Sequence, residues 1–279
     1  MKLGIFAKTF GGQTPAVALA SARRAGYLAV QYNMACSGLA ALPETITPEI
    51  AEAVAAAARE TATSVAAISA TYNMIDPDRA RRERGRRAFA AIAGAAQRIG
   101  VGLITVCTGS CDPDDQWRAH RDNASAQAWR DLLSEFAQIL PIAERCDVSI
   151  GVEPELANVV AGAPEARALI DQLNCERIRI VLDPANLFER ASDAERKARI
   201  ERAVDLLGDA IALAHAKDRA PDGGVAAAGD GVIDFAHFFR ALRRAGFEGT
   251  VITHGLAPAD AARVAVFLGE AMRRAEAPA

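Results

Sequence analysis

The chain has 279 residues, 51% of them hydrophobic and 24% charged. That balance supplies one large core and excludes a disordered chain. Lysine and arginine number 32 against 35 aspartates and glutamates, giving a net charge of −3. No basic stripe runs along the sequence, which argues against a nucleic-acid partner.

The five cysteines, Cys36, Cys107, Cys111, Cys146 and Cys175, are odd in number and form no Cys-x-x-Cys pair. They predict free thiols and a reducing, cytoplasmic compartment rather than a disulfide framework. Met1 to Phe6 runs straight into a strand pattern, so no secretory leader is expected. The apolar runs are short and broken by charges, so no membrane span is expected either.

A short β-like run followed by a longer helical pattern recurs along the chain. The first pair is a strand at 2–7 with a helix at 15–25, followed by 27–32 with 47–62 and 64–70 with 78–99. Next come 102–107 with 124–146, 147–152 with 163–173 and 177–182 with 193–207. The last two are 210–215 with 234–245 and 249–253 with 258–274. Alternating units of this kind predict a parallel sheet covered by helices. Eight of them in a chain of this length predict an α/β fold, a (β/α)8 TIM barrel, as a single domain over residues 1–279. Trp129, Leu132, Leu133, Phe136, Ile139 and Leu140 form one apolar stripe at helical spacing. Pro15, Pro48, Pro164 and Pro258 fall near helix starts, and Gly100 and Gly246 where helices should end.

Strand parity sorts the side chains. Ile178, Ile180 and Leu182 are predicted to face the helices, leaving Arg179, Val181 and Asp183 toward the barrel axis. Val148, Ile150 and Val152 leave Ser149, Gly151 and Glu153 inward. Leu28, Val30 and Tyr32 leave Gln31 and Asn33 inward. Each inward set ends in a polar residue at the C-terminal end of its strand, the face on which barrel enzymes build their sites.

Three strands end in groups that suit a divalent cation: Glu153 in Val-Glu-Pro-Glu, Asp183 in Leu-Asp-Pro-Ala-Asn, and His215 in His-Ala-Lys-Asp. They are spaced by about one βα unit (183 − 153 = 30; 215 − 183 = 32), which predicts adjacent strands at one height. His254, on the parity opposite to Val251 and Thr253, adds a fourth group. A mixed carboxylate and imidazole set suits one divalent ion, with Mn²⁺ first and Mg²⁺, Co²⁺, Fe²⁺ or Zn²⁺ open. Such an ion polarises a carbonyl while a neighbouring carboxylate such as Glu153 removes a proton from the adjacent carbon. Lys217, on the parity of His215, is placed to orient a substrate oxygen.

The Glu-Pro-Glu, Asp-Pro-Ala-Asn and His-Ala-Lys-Asp segments, in this order, resemble those of the xylose isomerase-like barrels, the superfamily of sugar phosphate isomerases and epimerases. Gly229-Asp230-Gly231-Val232-Ile233-Asp234-Phe235, followed by Gly246-Phe247-Glu248-Gly249, resembles their seventh-to-eighth unit. The resemblance implies that Glu153 is both ligand and acid/base, that Asp183 and His215 are ligands, and that the subunits form a homodimer or homotetramer. Where the epimerase pattern has a glutamate, five positions after the Gly249 turn, this chain has His254. It is therefore read as a ligand and a second acid/base of altered type.

The expected activity is a metal-dependent isomerisation or epimerisation of a small sugar, keto-sugar or related polyol. The alternatives are a metal-dependent dehydratase of an inosose or sugar acid and a non-catalytic sugar-binding barrel. Substrate contacts are expected from Asn33, Asn73, Thr108, Trp117, His120, Asn158, Asn186 and Lys217. A DNA-repair activity of the endonuclease IV kind is set aside, because four histidines and a negative net charge do not suit it. Arg81, Arg82, Arg84, Arg86 and Arg87 are read as a solvated helix face, and Gly223, Gly224, Gly229 and Gly231 as a mobile loop.

Overall fold

The computed structural model describes residues 1–11 and 14–276. Eight parallel strands close into a barrel: β1 (Lys2–Phe6), β2 (Ala29–Tyr32), β3 (Ser64–Ser69), β4 (Leu103–Cys107), β5 (Ser149–Glu153), β6 (Ile178–Leu182), β7 (Ile211–Ala216) and β10 (Thr250–Thr253). A two-stranded ribbon, β8 (Asp218–Arg219) with β9 (Val225–Ala226), lies between β7 and the next helix. The outer ring is α1 (Pro15–Arg24), α2 (Pro48–Thr61), α3 (Arg79–Ile99), α4 (Ala126–Arg145), α5 (Ala163–Leu173), α6 (Asp193–Leu207), α7 (Phe235–Arg244) and α8 (Ala261–Arg274). No described helix is long and apolar enough to cross a membrane.

Local chemistry explains the boundaries. Thr14, Asp78, Ser125 and Asp234 each cap a helix by accepting a backbone N–H, and Ser192 with Glu195 forms a reciprocal capping box on α6. Gly100 ends α3 at φ +84°, a left-handed conformation that a side chain would strain.

The barrel has two apolar layers. The larger packs the outward strand residues, Val30, Val152, Ile180 and Leu182 among them, against the helices. The smaller fills the barrel itself with Ala67, Leu103, Val181, Leu213 and Ile252. Leu28 departs from its expected helix-facing place: it precedes β2 and is exposed. The inner plug occupies the middle of the strands and leaves their C-terminal ends to polar side chains. Register sets those ends level, with Cys107 beside Glu153 and Ile252 beside His215.

One sequence reading changes in the folded chain, and a second gains a physical basis. Arg86 does not belong to a solvated row. It donates to Glu135 Oε2 at 2.8 Å, and the buried Glu135 carboxylate also accepts from the Tyr72 hydroxyl at 2.8 Å. Replacing Glu135 by Ala strands both donors. It is expected to destabilise the fold by about 2 kcal/mol, below the usual range for a broken buried pair because Arg86 reaches solvent; a lowered denaturation midpoint is the check. The glycines after β7 also have a defined role. Asp218 accepts from the backbone N–H groups of Arg219, Gly229, Gly231 and Ile233, and a Cβ on Gly231 would lie 2.2 Å from the Arg219 carbonyl oxygen.

Candidate metal centre

Glu153 ends β5, Asp183 follows β6, His215 lies in β7 and His254 follows β10. One donor atom from each lies within 4.8 Å of the other three. Glu153 Oε1 is 3.1 Å from His215 Nδ1, Asp183 Oδ2 is 3.4 Å from His254 Nε2, and the two imidazole centroids are 4.7 Å apart. Asp183 Oδ1 accepts the Ala185 N–H at 2.9 Å, which turns Oδ2 toward the cluster. Asp183 Oδ2 and His254 Nε2 are both buried without a hydrogen-bond partner. Leaving a carboxylate oxygen and an imidazole nitrogen unsatisfied in a buried site is expensive. A divalent cation among the four donors satisfies both, and two carboxylates with two imidazoles make a suitable donor set.

A hydrogen-bond chain across the barrel orients the donors. Gln31 on β2 donates through Nε2 to Thr105 Oγ1 at 3.0 Å, so its Oε1 meets His215 Nε2 at 2.7 Å. That acceptor makes Nε2 a donor and leaves Nδ1, which faces Glu153 Oε1, as the nitrogen a metal would take. Parity placed Gln31 inside the barrel, but not in contact with a residue 184 positions away on another strand. Replacing Gln31 by Leu frees the His215 ring and is expected to weaken Mn²⁺ binding about tenfold to a hundredfold, measurable by metal titration calorimetry. Asn186 plays the corresponding part for the carboxylate. Its Nδ2 donates to Glu153 Oε1 at 3.0 Å and to the Pro154 carbonyl at 3.1 Å.

Burial and charge set the protonation states. Burial pushes the Glu153 carboxyl up, but the His215 ring and the Lys217 ammonium outweigh it and hold it below its ordinary range. Asp183 feels the same burial, and Lys217 with His254 holds it well below the carboxylate range. Burial lowers His254, which favours the neutral ring a metal requires. Burial also disfavours the Lys217 charge, yet Asp183, Glu153 and Glu155 more than compensate, so Lys217 stays cationic. Its Nζ sits 3.5 Å from Asp183 Oδ2 and 3.8 Å from Glu155 Oε2.

A cavity of about 450 Å³ opens above the cluster, with Glu153, His215 and His254 in its floor and Lys8, Asn33 and Trp117 among its walls. The remaining expected contacts are distributed unevenly. Asn33 and Trp117 reach this cavity, and Lys217 and Asn186 touch the ligand cluster from the side. Thr108 accepts the Val160 N–H, Asn158 braces Gly109 and Gln116, and Asn73 clamps Ser110 through both ends of its amide. These three side chains are tied to loop backbone. His120 caps a short 3-10 turn and accepts the Asp122 N–H, away from the cavity walls. All five cysteines are free. Cys107, buried in the barrel, brings its thiol to 3.8 Å from Glu153 Oε2, and burial raises its pKa well above the ordinary thiol range.

Residues 19–266 match the family model of the xylose isomerase-like TIM barrel. No curated protein matches the chain in sequence. Solved structures match over nearly its whole length. A 3-keto-D-glucoside 4-epimerase from E. coli shares 19% identity with a TM-score of 0.75, covering 97% of this chain and 99% of its own. An L-ribulose 3-epimerase shares 17% with a TM-score of 0.76, covering 98% and 95%. The IOLI protein, solved with a zinc atom, shares 17% with a TM-score of 0.73 over the full length of both chains. At these identities the likeness is one of fold. By its match over residues 19–266, the chain belongs to the xylose isomerase-like TIM barrel family.

Proposed function

We propose that this protein is a divalent-metal-dependent isomerase or epimerase of a small sugar, keto-sugar or related polyol. The observation that carries the reading is the pairing of two unsatisfied buried donors, Asp183 Oδ2 and His254 Nε2, with an ionised Glu153 in the floor of a sugar-sized cavity. Glu153, Asp183, His215 and His254 would hold the ion, Mn²⁺ first. When bound, it supplies a Lewis acid that polarises a substrate carbonyl and makes the neighbouring C–H more acidic.

The chain's own residues do the rest. Glu153 accepts the proton from the carbon beside the carbonyl. It is ionised at neutral pH, and Asn186 holds its Oε1, while Oε2 has the Cys107 thiol as its one hydrogen-bonding neighbour among the described residues. Lys217, kept cationic, steadies negative charge that develops on the substrate oxygen. The protonated Glu153 then returns that proton to the neighbouring carbon, so the transfer closes on one residue. His254, a neutral imidazole where the epimerase pattern has a carboxylate, serves as a ligand on its side of the cavity. Asn33 and Trp117 contact the bound sugar. The sugar epimerases among the structural neighbours, and the zinc atom in another, support the reaction class and the metal.

The test is metal analysis of the pure protein, with product analysis by NMR on a panel of ketoses, inososes and sugar acids. The expected result is about one Mn²⁺-class ion per chain and a product isomeric with its substrate. A product that has lost water assigns the dehydratase chemistry instead, and absence of metal binding under any condition overturns the site.

A further inference from the structure

The inner cavity does not end at a wall. Leu42, Thr71, Gln116 and Trp117 line it and also line a second cavity of about 530 Å³ that runs outward along the start of α3. Either space alone is within the usual range for a small-ligand pocket. Trp117 stands at the junction with half its surface exposed. It is the one aromatic among the exposed large hydrophobic residues described.

The backbone that carries the ring is held in place. Asp115 Oδ1 accepts the Trp117 N–H at 2.9 Å. Asn158 Nδ2 donates to the Gln116 carbonyl at 3.1 Å, and Ser110 Oγ to the Arg118 carbonyl at 2.6 Å. A large, half-exposed apolar ring carried on this anchored backbone at the boundary of two polar cavities is a stacking platform for a ligand with both an apolar face and hydroxyl groups.

The charge of the outer cavity narrows the ligand. Five carboxylates and two arginines line it, and Arg87 and Arg118 pair with two of the carboxylates, Glu44 and Asp112, from outside the lining, leaving a smaller excess of negative charge. Arg81 is already engaged by the Pro113 carbonyl at 2.7 Å and by the carboxylates of Asp76 and Asp78. The excess of carboxylates repels a phosphate or carboxylate group, whereas hydroxyls can donate to it. Resting on the reading of the inner cavity as the reacting site, we infer that the substrate is an unphosphorylated glycoside. The reacting ring lies over the metal ligands, and a second, neutral sugar ring lies in the outer cavity against Trp117. Binding energy from that remote ring then contributes to catalysis at the first.

The test is direct binding to the Mn²⁺-loaded protein, without turnover as the readout. Calorimetry on the wild type and fluorescence in a Trp129→Phe background, where Trp117 is the remaining tryptophan, compare D-fructose with its glucosylated forms turanose, maltulose and isomaltulose, and with D-fructose 6-phosphate. At least one disaccharide is expected to bind about tenfold more tightly than D-fructose and to change Trp117 emission, and Trp117→Ala is expected to abolish that advantage. The inference is overturned if D-fructose or its phosphate binds as tightly as the best disaccharide, or if Trp117→Ala weakens one-ring and two-ring ligands equally. A two-ring preference without turnover upholds the cleft and removes the isomerase reading; turnover of free ketoses with no two-ring preference does the reverse.

Discussion

The Glu153→Gln variant is expected to lose turnover by about a thousandfold at saturating Mn²⁺, the scale of a removed general base. The amide keeps the size of the carboxylate, so its carbonyl oxygen can still accept from Asn186 Nδ2, as Glu153 Oε1 does at 3.0 Å. The barrel should therefore still fold, with a thermal midpoint lowered by the loss of the buried charge facing His215 and Lys217. What disappears is the proton acceptor, together with the negative charge opposing His215 and Lys217. The loss should fall on kcat, with KM changing little, because the substrate's contacts with the cavity walls are untouched. Steady-state kinetics at several Mn²⁺ concentrations separates this from weakened metal binding, which excess metal would rescue. Activity within a few-fold of wild type would remove Glu153 from the chemistry.

The Asp183→Asn variant is expected to fail one step earlier. One carboxylate oxygen is held by the Ala185 N–H, and the other is the unsatisfied atom facing His254 and Lys217. An amide oriented by the same Ala185 N–H presents NH₂ to the cluster, a group that cannot bind a cation. Mn²⁺ affinity should fall by more than the roughly hundredfold typical of losing an outer partner. The metal-free protein should also lose about 3 kcal/mol, because Lys217 keeps only the more distant Glu155. The pH dependence has a defined sign. The Asp183 carboxyl is held well below its ordinary value of 3.8 in the folded chain. Its contribution is therefore present throughout the range above about pH 4 and fades as the pH falls toward the folded value. Denaturation midpoints of the two proteins should differ by a constant amount from pH 8 to pH 5 and converge in stronger acid.

Parity was the most productive signal in the sequence. Alternating inward positions placed Glu153, Asp183 and His254, the spacing of one βα unit set His215 level with them, and the structure brings their donor atoms within 4.8 Å. Parity says which way a side chain leaves its strand, but not what it meets. Gln31 was legible as inward, whereas its contact with His215 depends on the barrel radius and on Thr105 taking the other end of its amide. Asn73, Thr108 and Asn158 follow strand ends as ligand-contacting residues do. Their amides and hydroxyl also satisfy loop N–H and C=O groups, contacts set by loop geometry that local sequence does not encode. Glu135 left a trace that could have been read. It falls on the apolar stripe of α4, three after Leu132 and four before Ile139, and a carboxylate there requires a buried partner. The loop after β7 was read from its glycines alone, without the Asp218 side chain that gathers four of its N–H groups.

The most direct test of the central claim, that Glu153 removes a proton beside a substrate carbonyl at a metal site, is deuterium incorporation followed by NMR. The Mn²⁺-loaded protein is incubated in D₂O with whichever panel sugar it binds most tightly. The account predicts deuterium at the carbon next to the carbonyl, lost on chelation of the metal and absent in Glu153→Gln. Interconversion of the sugars with no deuterium from solvent, or wash-in that survives Glu153→Gln at the wild-type rate, would contradict it.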